Sequence, residues 1–192
     1  MKKQCILFVS LLVMTCKLYA VTGQEVANLL SPAASKYGTN ALNPRLSVVE
    51  QNASISEWNA VFPMAKVFVI DNSKNLVGVK DSDIINAMNA LEKANTDLTN
   101  AVKVARGIST VDGLKKQRTI LENIKKNLVA ATNKLSGISM TLANKKDAKN
   151  LILTIGRVME QMIQVIDGGI TAKMDAIIPK APSRPAPALP NG

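Results

Sequence analysis

The charged residues whose spacing most directly suggests a binding site for anions lie in the second half of the sequence. Between residues 115 and 149 there are nine basic residues and only two acidic ones. Such an excess of positive charge attracts anionic surfaces at a distance, and the attraction weakens as salt rises. We interpret the first six basic residues as a candidate anion-binding face for lipid, glycan or nucleic acid phosphate, with an ordinary solvated helix face as the other interpretation. These six residues are Lys115, Lys116, Arg118, Lys125, Lys126 and Lys134.

Sequence-specific nucleic acid is not an expected partner of this basic segment. Proteins that bind single strands stack the bases on aromatic side chains. The aromatic residues after the first twenty positions are Tyr37, Trp58, Phe62 and Phe68, and none of them lies in the basic segment. Any binding of phosphate is therefore expected to be independent of nucleotide sequence and steeply dependent on salt.

The C-terminal residues 179–192 form a second candidate site. They include five prolines and no acidic residue, and this composition favours an extended, solvated polyproline helix over a packed element. The stretch from Arg184 to Pro190 resembles the basic-first ligands of SH3 domains, in which a preformed polyproline helix docks and an arginine pairs with an acidic rim. A stiff linker or protective tail is the plainer interpretation. The candidate docking residues are Pro179, Pro182, Arg184, Pro187, Leu189 and Pro190.

The composition argues against most catalytic chemistry. The sequence has no histidine, and its two cysteines, Cys5 and Cys16, lie within the first twenty residues. His-ligated metals, thiolate metal sites and nucleophiles activated by histidine therefore lack their parts. A phosphate-binding Gly-Lys-Ser/Thr loop, a Gly-x-Ser-x-Gly turn and a Ser-x-x-Lys pair are also absent from the sequence. We therefore expect no enzymatic activity, no cofactor and no bound metal.

The first twenty residues resemble a secretory signal peptide. A basic start and an apolar run from Cys5 to Met14 precede the small residue Ala20, as in cleavable signals. We expect residues 1–20 to be removed, which leaves a secreted or periplasmic protein with no transmembrane span. The apolar run is shorter than the roughly twenty residues that cross a bilayer, which argues against a membrane anchor. A lipid anchor at Cys16 is the alternative.

The strongest helical pattern in the sequence runs from Leu151 to Gly169. At 100° per residue its apolar residues fall on one arc about 160° wide, and a helix with so wide an apolar arc needs neighbours on two sides. Met159 and Met162 lie on this arc and are predicted to be core residues. Gly168 and Gly169 are predicted to end the helix, because glycine readily adopts the conformation of a helix C-terminus.

Two further apolar stripes at helical spacing precede this helix, over residues 84–105 and 114–135. The connection between them, residues 107–110, is only a few residues long, which predicts antiparallel neighbours. The sequence therefore predicts an all-α fold, a three- to four-helix up-down bundle over residues 44–178.

The N-terminal part of the mature chain gives weaker signals. Residues 21–43 are rich in Ser, Ala, Asn and Gly and are predicted to be a flexible segment with at most a short helix. A helix is expected to begin at Pro44 and to end at Pro63, since proline suits the first turn of a helix and interrupts its interior. Trp58 and Phe62 lie four residues apart and should meet on the core face of this helix.

Residues 66–79 have two interpretations. Val67 to Ile70 and Leu76 to Val79 are short runs rich in β-branched residues, separated by a polar loop, which is typical of a small β-hairpin. A short helix over the first run is the alternative.

Together these patterns lead to the hypothesis that the protein binds partners and catalyses no reaction. We expect an exported, non-enzymatic helical-bundle protein that binds macromolecular partners, above all a protein, through its surface and its Pro-rich tail. The alternative is a cationic envelope-associated or chaperone-like protein that binds anionic membrane surfaces or unfolded clients.

Overall fold

The structure is a computed structural model that describes residues 22–73 and 81–178. These residues form helices and no strand, so the predicted all-α class is confirmed. The predicted signal peptide, the Pro-rich tail and the second half of the predicted hairpin lie outside the described residues. The helices are α1 (Gly23–Asn40), α2 (Val48–Ser73), α3 (Asp81–Gly107), α4 (Val111–Ser136) and α5 (Ala143–Ile177).

Helix α5 is the centre of the fold, because it packs against each of the other four helices. Most of its predicted apolar arc is buried, and Met159 and Met162 are both confirmed as core residues, but Val165 on the same arc is 47% exposed. The buried apolar residues of this helix are Ala148, Leu151, Ile152, Ile155, Met159, Met162, Ile163, Ile166, Ile170 and Met174.

The prediction that α5 ends at Gly168 and Gly169 is wrong, since the helix continues to Ile177. A glycine inside a helix costs about 1 kcal/mol relative to alanine, whereas full burial of one Ile or Met side chain contributes about 1.5–3 kcal/mol. Ile170 directly follows Gly169, Met174 lies about one turn further along, and both are buried. Their burial therefore offsets the cost of the two glycines.

The prediction of a flexible segment over residues 21–43 is also wrong, because α1 occupies most of it. Thr22 and Glu25 form a capping box at its start, in which the Thr22 side chain accepts from the Glu25 amide and the Glu25 carboxylate accepts from the Thr22 amide. The small residues that suggested mobility allow close packing instead. A Cβ atom on Gly38 would lie 3.3 Å from the Val165 side chain, so α1 lies directly against α5.

Helix α2 begins at Val48 and not at Pro44, and it continues through Pro63, so both predicted ends of this helix are wrong. Pro63 is exposed, whereas Phe62, Ala65 and Val69 are buried on the core side. The packing of that side maintains the helix beyond the proline. Residues 67–70 are consequently helical, and the predicted first strand of the hairpin is wrong.

The predicted aromatic contact in α2 is confirmed. Trp58 and Phe62 are buried with ring centroids 5.5 Å apart. The Trp58 Nε1 atom donates to Asn95 Oδ1 at 2.6 Å on α3, so the indole satisfies its single donor inside the fold.

Helices α3, α4 and α5 follow the predicted stripes closely. Thr110 caps α4 by accepting from the Gly113 amide, and Gly137 is the C-cap of the same helix. Helices α4 and α5 approach closely at Gly156, where an added Cβ atom would lie only 2.4 Å from Thr132 Cγ2. Across residues 22–73 and 81–178, no helix is both long enough and apolar enough to cross a membrane.

Candidate functional site

The six residues of the predicted anion-binding face are largely paired with acids. The pairs are Lys115 with Asp112 at 3.8 Å, Arg118 with Asp167 at 2.7 Å, Lys125 with Glu160 at 3.1 Å and Lys134 with Asp83 at 3.4 Å. Only Lys116 and Lys126 have no acidic partner within 4 Å among the described residues. Most of the charge that the sequence offers to an anion is therefore already compensated by carboxylates.

The pairs also show that these six side chains do not share one free face. Arg118 and Lys125 extend to carboxylates on α5, whereas Lys134 extends to a carboxylate on α3. The Arg118 contact is bidentate, because Nε and Nη2 each donate to one oxygen of Asp167, at 2.7 and 3.0 Å. The hydrogen bonds from Arg118 to that carboxylate, followed by its charge, raise the pKa of Arg118.

The six predicted docking residues of the tail lie outside the described residues. Helix α5 ends at Ile177, and the last described residue, Ile178, is exposed. The tail therefore follows directly from the end of α5. This end of the helix also lines the cleft described below.

The outward side of α2 is an uncharged and mostly apolar stripe, which we call the outer stripe. Its residues are Val49, Ala53, Ser56, Ala60, Pro63 and Val67, and all six are exposed. The side chains of Val49 and Val67 remain 77% and 45% exposed. A surface helix normally carries polar residues on this side.

Ion pairs border the outer stripe. Glu57 of α2 pairs with Lys36 of α1, and Lys66 of α2 pairs with Glu92 of α3 at 2.7 Å. Apolar surface with a polar border is typical of sites where one macromolecule contacts another.

A large cleft lies where α1, the start of α2, the end of α3 and the last turns of α5 meet, and it has a volume of about 610 Å³. This volume lies within the range of about 300–1,000 Å³ that is typical of ligand sites. Among the described residues, Arg106 and Lys173 are its charged lining residues, and no Asp or Glu lines it. Its apolar walls are formed by Leu42, Pro44, Val48, Val165, Ala172 and Ala176.

Arg106 is held in the cleft by neutral oxygens. Its Nε donates to the Ala41 carbonyl at 2.9 Å, and its Nη1 donates to Asn52 Oδ1 at 2.6 Å. The Nη2 atom is shielded from solvent and has no hydrogen-bond partner within the described part of the chain. Burial lowers the pKa of Arg106, while the nearby Tyr37 acts in the opposite direction.

Lys173 is likewise bound to carbonyl groups. Its Nζ atom donates to the carbonyls of Ala105 and Arg106, at 2.8 and 2.7 Å. These are the last carbonyls of α3, which lack partners inside that helix and carry its negative dipole end. Burial lowers the pKa of Lys173.

A second groove of about 200 Å³ adjoins the cleft between α1 and α5. Gly38, Thr39 and Val165 line both, so the cleft and the groove are adjacent. The second groove is also lined by Ala34, Val158 and Met162, and no charged residue is among its described lining residues.

Sequence reasoning singled out neither Arg106 nor Lys173. They lie 67 residues apart and neither belongs to a dense charge cluster, so only the packing of α3 against α5 brings them together. Within the described residues there is no cluster of His, Cys, Asp or Glu that could hold a metal ion.

Comparisons with known proteins returned no match: no family model, no curated protein and no solved structure matches this chain.

Proposed function

We propose that this is an exported protein without catalytic activity, an up-down helical bundle that binds a macromolecular partner through its surface and its Pro-rich tail. The observation that carries this proposal is the outer stripe of α2. A protein partner is favoured over a lipid surface because the stripe itself carries no positive charge, whereas peripheral binding to anionic lipid relies on basic residues.

The dimensions of the outer stripe suit a protein contact. From Val49 to Val67 it extends along roughly 27 Å of helix, at 1.5 Å per residue. A partner that covered it would remove apolar surface from water, which contributes about 25 cal/mol for each Å². The paired charges at its border would remain in water, as the rim of a protein interface does.

We test this with chemical crosslinking followed by affinity purification from the source cells. A Val49→Glu/Val67→Glu variant places two charges on the outer stripe and should lose the crosslinked partners of the wild type. The control is Ile120→Glu, which places one such charge on an exposed apolar residue of α4 and should retain them. Identical crosslinks in all three proteins would contradict a role for the stripe.

The tail receives a separate test, because its proposed role depends on its sequence alone. A peptide of residues 179–192 should bind at least one member of a panel of SH3 and WW domains with saturation, through the preformed polyproline helix. An Arg184→Glu peptide is the matched control and should bind more weakly. No saturable binding by the wild-type peptide would remove the tail from the proposal.

The cationic alternative rests on Lys116 and Lys126, whose charges have no acidic partner within 4 Å in the described ranges. If it is right, the protein binds vesicles that contain phosphatidylglycerol but not neutral vesicles, and the binding falls steeply as salt rises. A Lys116→Glu/Lys126→Glu variant should then lose this binding. Vesicle binding that persists at high salt would contradict a charge-driven contact.

A further inference from the structure

We propose that the cleft beside Arg106 and Lys173 binds a single-chain amphiphile with an oxyanion head, either a long-chain carboxylate or a phosphate monoester. This site is separate from the outer stripe, and the inference does not rest on the partner binding proposed above.

The head group follows from the charges in the cleft. Arg106 and Lys173 both line it, both donate to neutral oxygens, and no carboxylate of residues 22–73 and 81–178 lines the same space. By contrast, Arg118 and Lys125 each have a carboxylate partner. An oxyanion in the cleft would supply the counter-charge that these two cations lack, and charge-assisted hydrogen bonds are roughly twice as strong as neutral ones.

The chain of the ligand follows from the walls. Beyond the two cations, the cleft is lined by aliphatic side chains such as Leu42, Val165 and Ala176. The adjacent groove between α1 and α5 has no charged residue among its described lining residues. A free phosphate or acetate would leave the aliphatic walls of the cleft uncovered, whereas an alkyl chain would cover them.

The first experiment measures binding to the full chain by calorimetry, with probes kept below their micelle concentrations. Dodecanoate and dodecyl phosphate should each bind with saturation, and a difference between them identifies the preferred head. Dodecanol, which has the chain but no charge, should bind at least about tenfold more weakly. Acetate and inorganic phosphate, which lack the chain, should show no saturable binding.

Two results of this experiment would overturn the proposal. Equal affinity for dodecanol and dodecanoate would show that the cations do not select the ligand. Equal affinity for acetate and dodecanoate would show that the alkyl chain does not cover the aliphatic walls of the cleft.

The second experiment places a charge in the cleft with a matched control. Ala172 lines the cleft and is exposed, so its replacement does not disturb the core. Ala172→Glu should weaken dodecanoate binding at least about tenfold by repelling the head, whereas Ala172→Gln, of the same shape but neutral, should weaken it less than about threefold. Circular dichroism checks that both variants keep the helical content of the wild type.

A distant charge separates a local effect from a general one. Ile120→Glu changes the net charge by the same amount on α4, at a residue that does not line the cleft. It should leave dodecanoate binding unchanged. Equal losses in Ala172→Glu and Ala172→Gln, or in Ala172→Glu and Ile120→Glu, would overturn the assignment of the ligand to this cleft.

Discussion

The cations at the α4–α5 contact and the cations in the cleft at the end of α3 have different kinds of hydrogen-bond partner. At the α4–α5 contact, Arg118 and Lys125 meet carboxylates on the facing helix. In the cleft, Arg106 and Lys173 meet only carbonyl and amide oxygens. The region with the higher density of basic residues in the sequence is therefore the one where positive charge is better compensated. Local charge density in a sequence does not by itself reveal which charges are available to a ligand.

The largest expected effect on stability comes from replacing Arg106 of the cleft. Replacing Arg118 of the α4–α5 contact gives the comparison. Arg106→Met loses hydrogen bonds to Ala41 and Asn52 and should lower the free energy of unfolding by about 2 kcal/mol, since bonds from charged groups contribute about 1.5–3 kcal/mol. Arg118→Met breaks a half-exposed ion pair and should cost at most about 1 kcal/mol. Urea unfolding of both variants measures the difference. An equal or larger loss in Arg118→Met would contradict the contrast between the two regions.

Two glycines of α5 allow the packing at the α4–α5 contact to be compared with that at an open position of the same helix. Gly156 faces Thr132 at the α4–α5 contact, so Gly156→Ala should destabilise the protein by about 1 kcal/mol through overpacking. Gly168 has open space where its Cβ would lie, so Gly168→Ala should stabilise it by about 0.5–1 kcal/mol through a better helix propensity. Thermal unfolding of the two variants should show shifts of opposite sign. A stabilising effect of both substitutions would mean that the α4–α5 contact is looser than the structure indicates.

High salt should change the contributions of Lys125 and Lys173 to the free energy of unfolding by different amounts. Lys125→Met removes an ion pair whose contribution is about 0.5 kcal/mol, and this difference from the wild type should shrink in about 1 M NaCl, where the Debye length is about 3 Å. Lys173→Met removes hydrogen bonds to the Ala105 and Arg106 carbonyls, so its difference should persist. Urea unfolding at low and high salt gives both values. A loss of the Lys173 difference in high salt would show that its contribution is mainly long-range.

The smallest expected effect is a pH dependence that belongs to the cleft. The pKa of Lys173 is lowered below 10.5 by burial, so between its folded and unfolded values the unfolded chain binds more protons. The contribution of Lys173 to stability should therefore rise with pH as the pH approaches 10.5. The difference in stability between wild type and Lys173→Met, measured by urea unfolding from neutral pH upward, isolates this group. A difference that falls with pH would contradict the direction of the shift.

The sequence predicted those elements whose stability depends on large apolar residues at helical spacing. The arc of α5 and the Trp58–Phe62 contact are examples. Helix α1 was missed because its contacts use small residues such as Ala34 and Gly38, which resemble a loop in composition. The continuation of α2 and α5 was missed for a related reason, since tertiary packing outweighs the local cost of proline or glycine.

The candidate site was predictable only in part. The basic residues of α4 were identified correctly as charged and largely exposed, but their carboxylate partners lie on other helices and cannot be read from α4 alone. Arg106 and Lys173 each look ordinary in the sequence. Their shared environment arises from the distance between two helix ends, which no local pattern encodes.

The central position of α5 also has a consequence for how the chain acquires its structure. Gly23 of α1 lies against Asp147 of α5, roughly 120 residues later in the chain, and contacts this distant in sequence slow folding. A nascent chain that has emerged as far as Ser136 carries four helices without the one that each of them packs against. During synthesis these helices would present their apolar sides to solvent, so the chain needs either a holding factor or rapid completion of its C-terminal third to avoid aggregation.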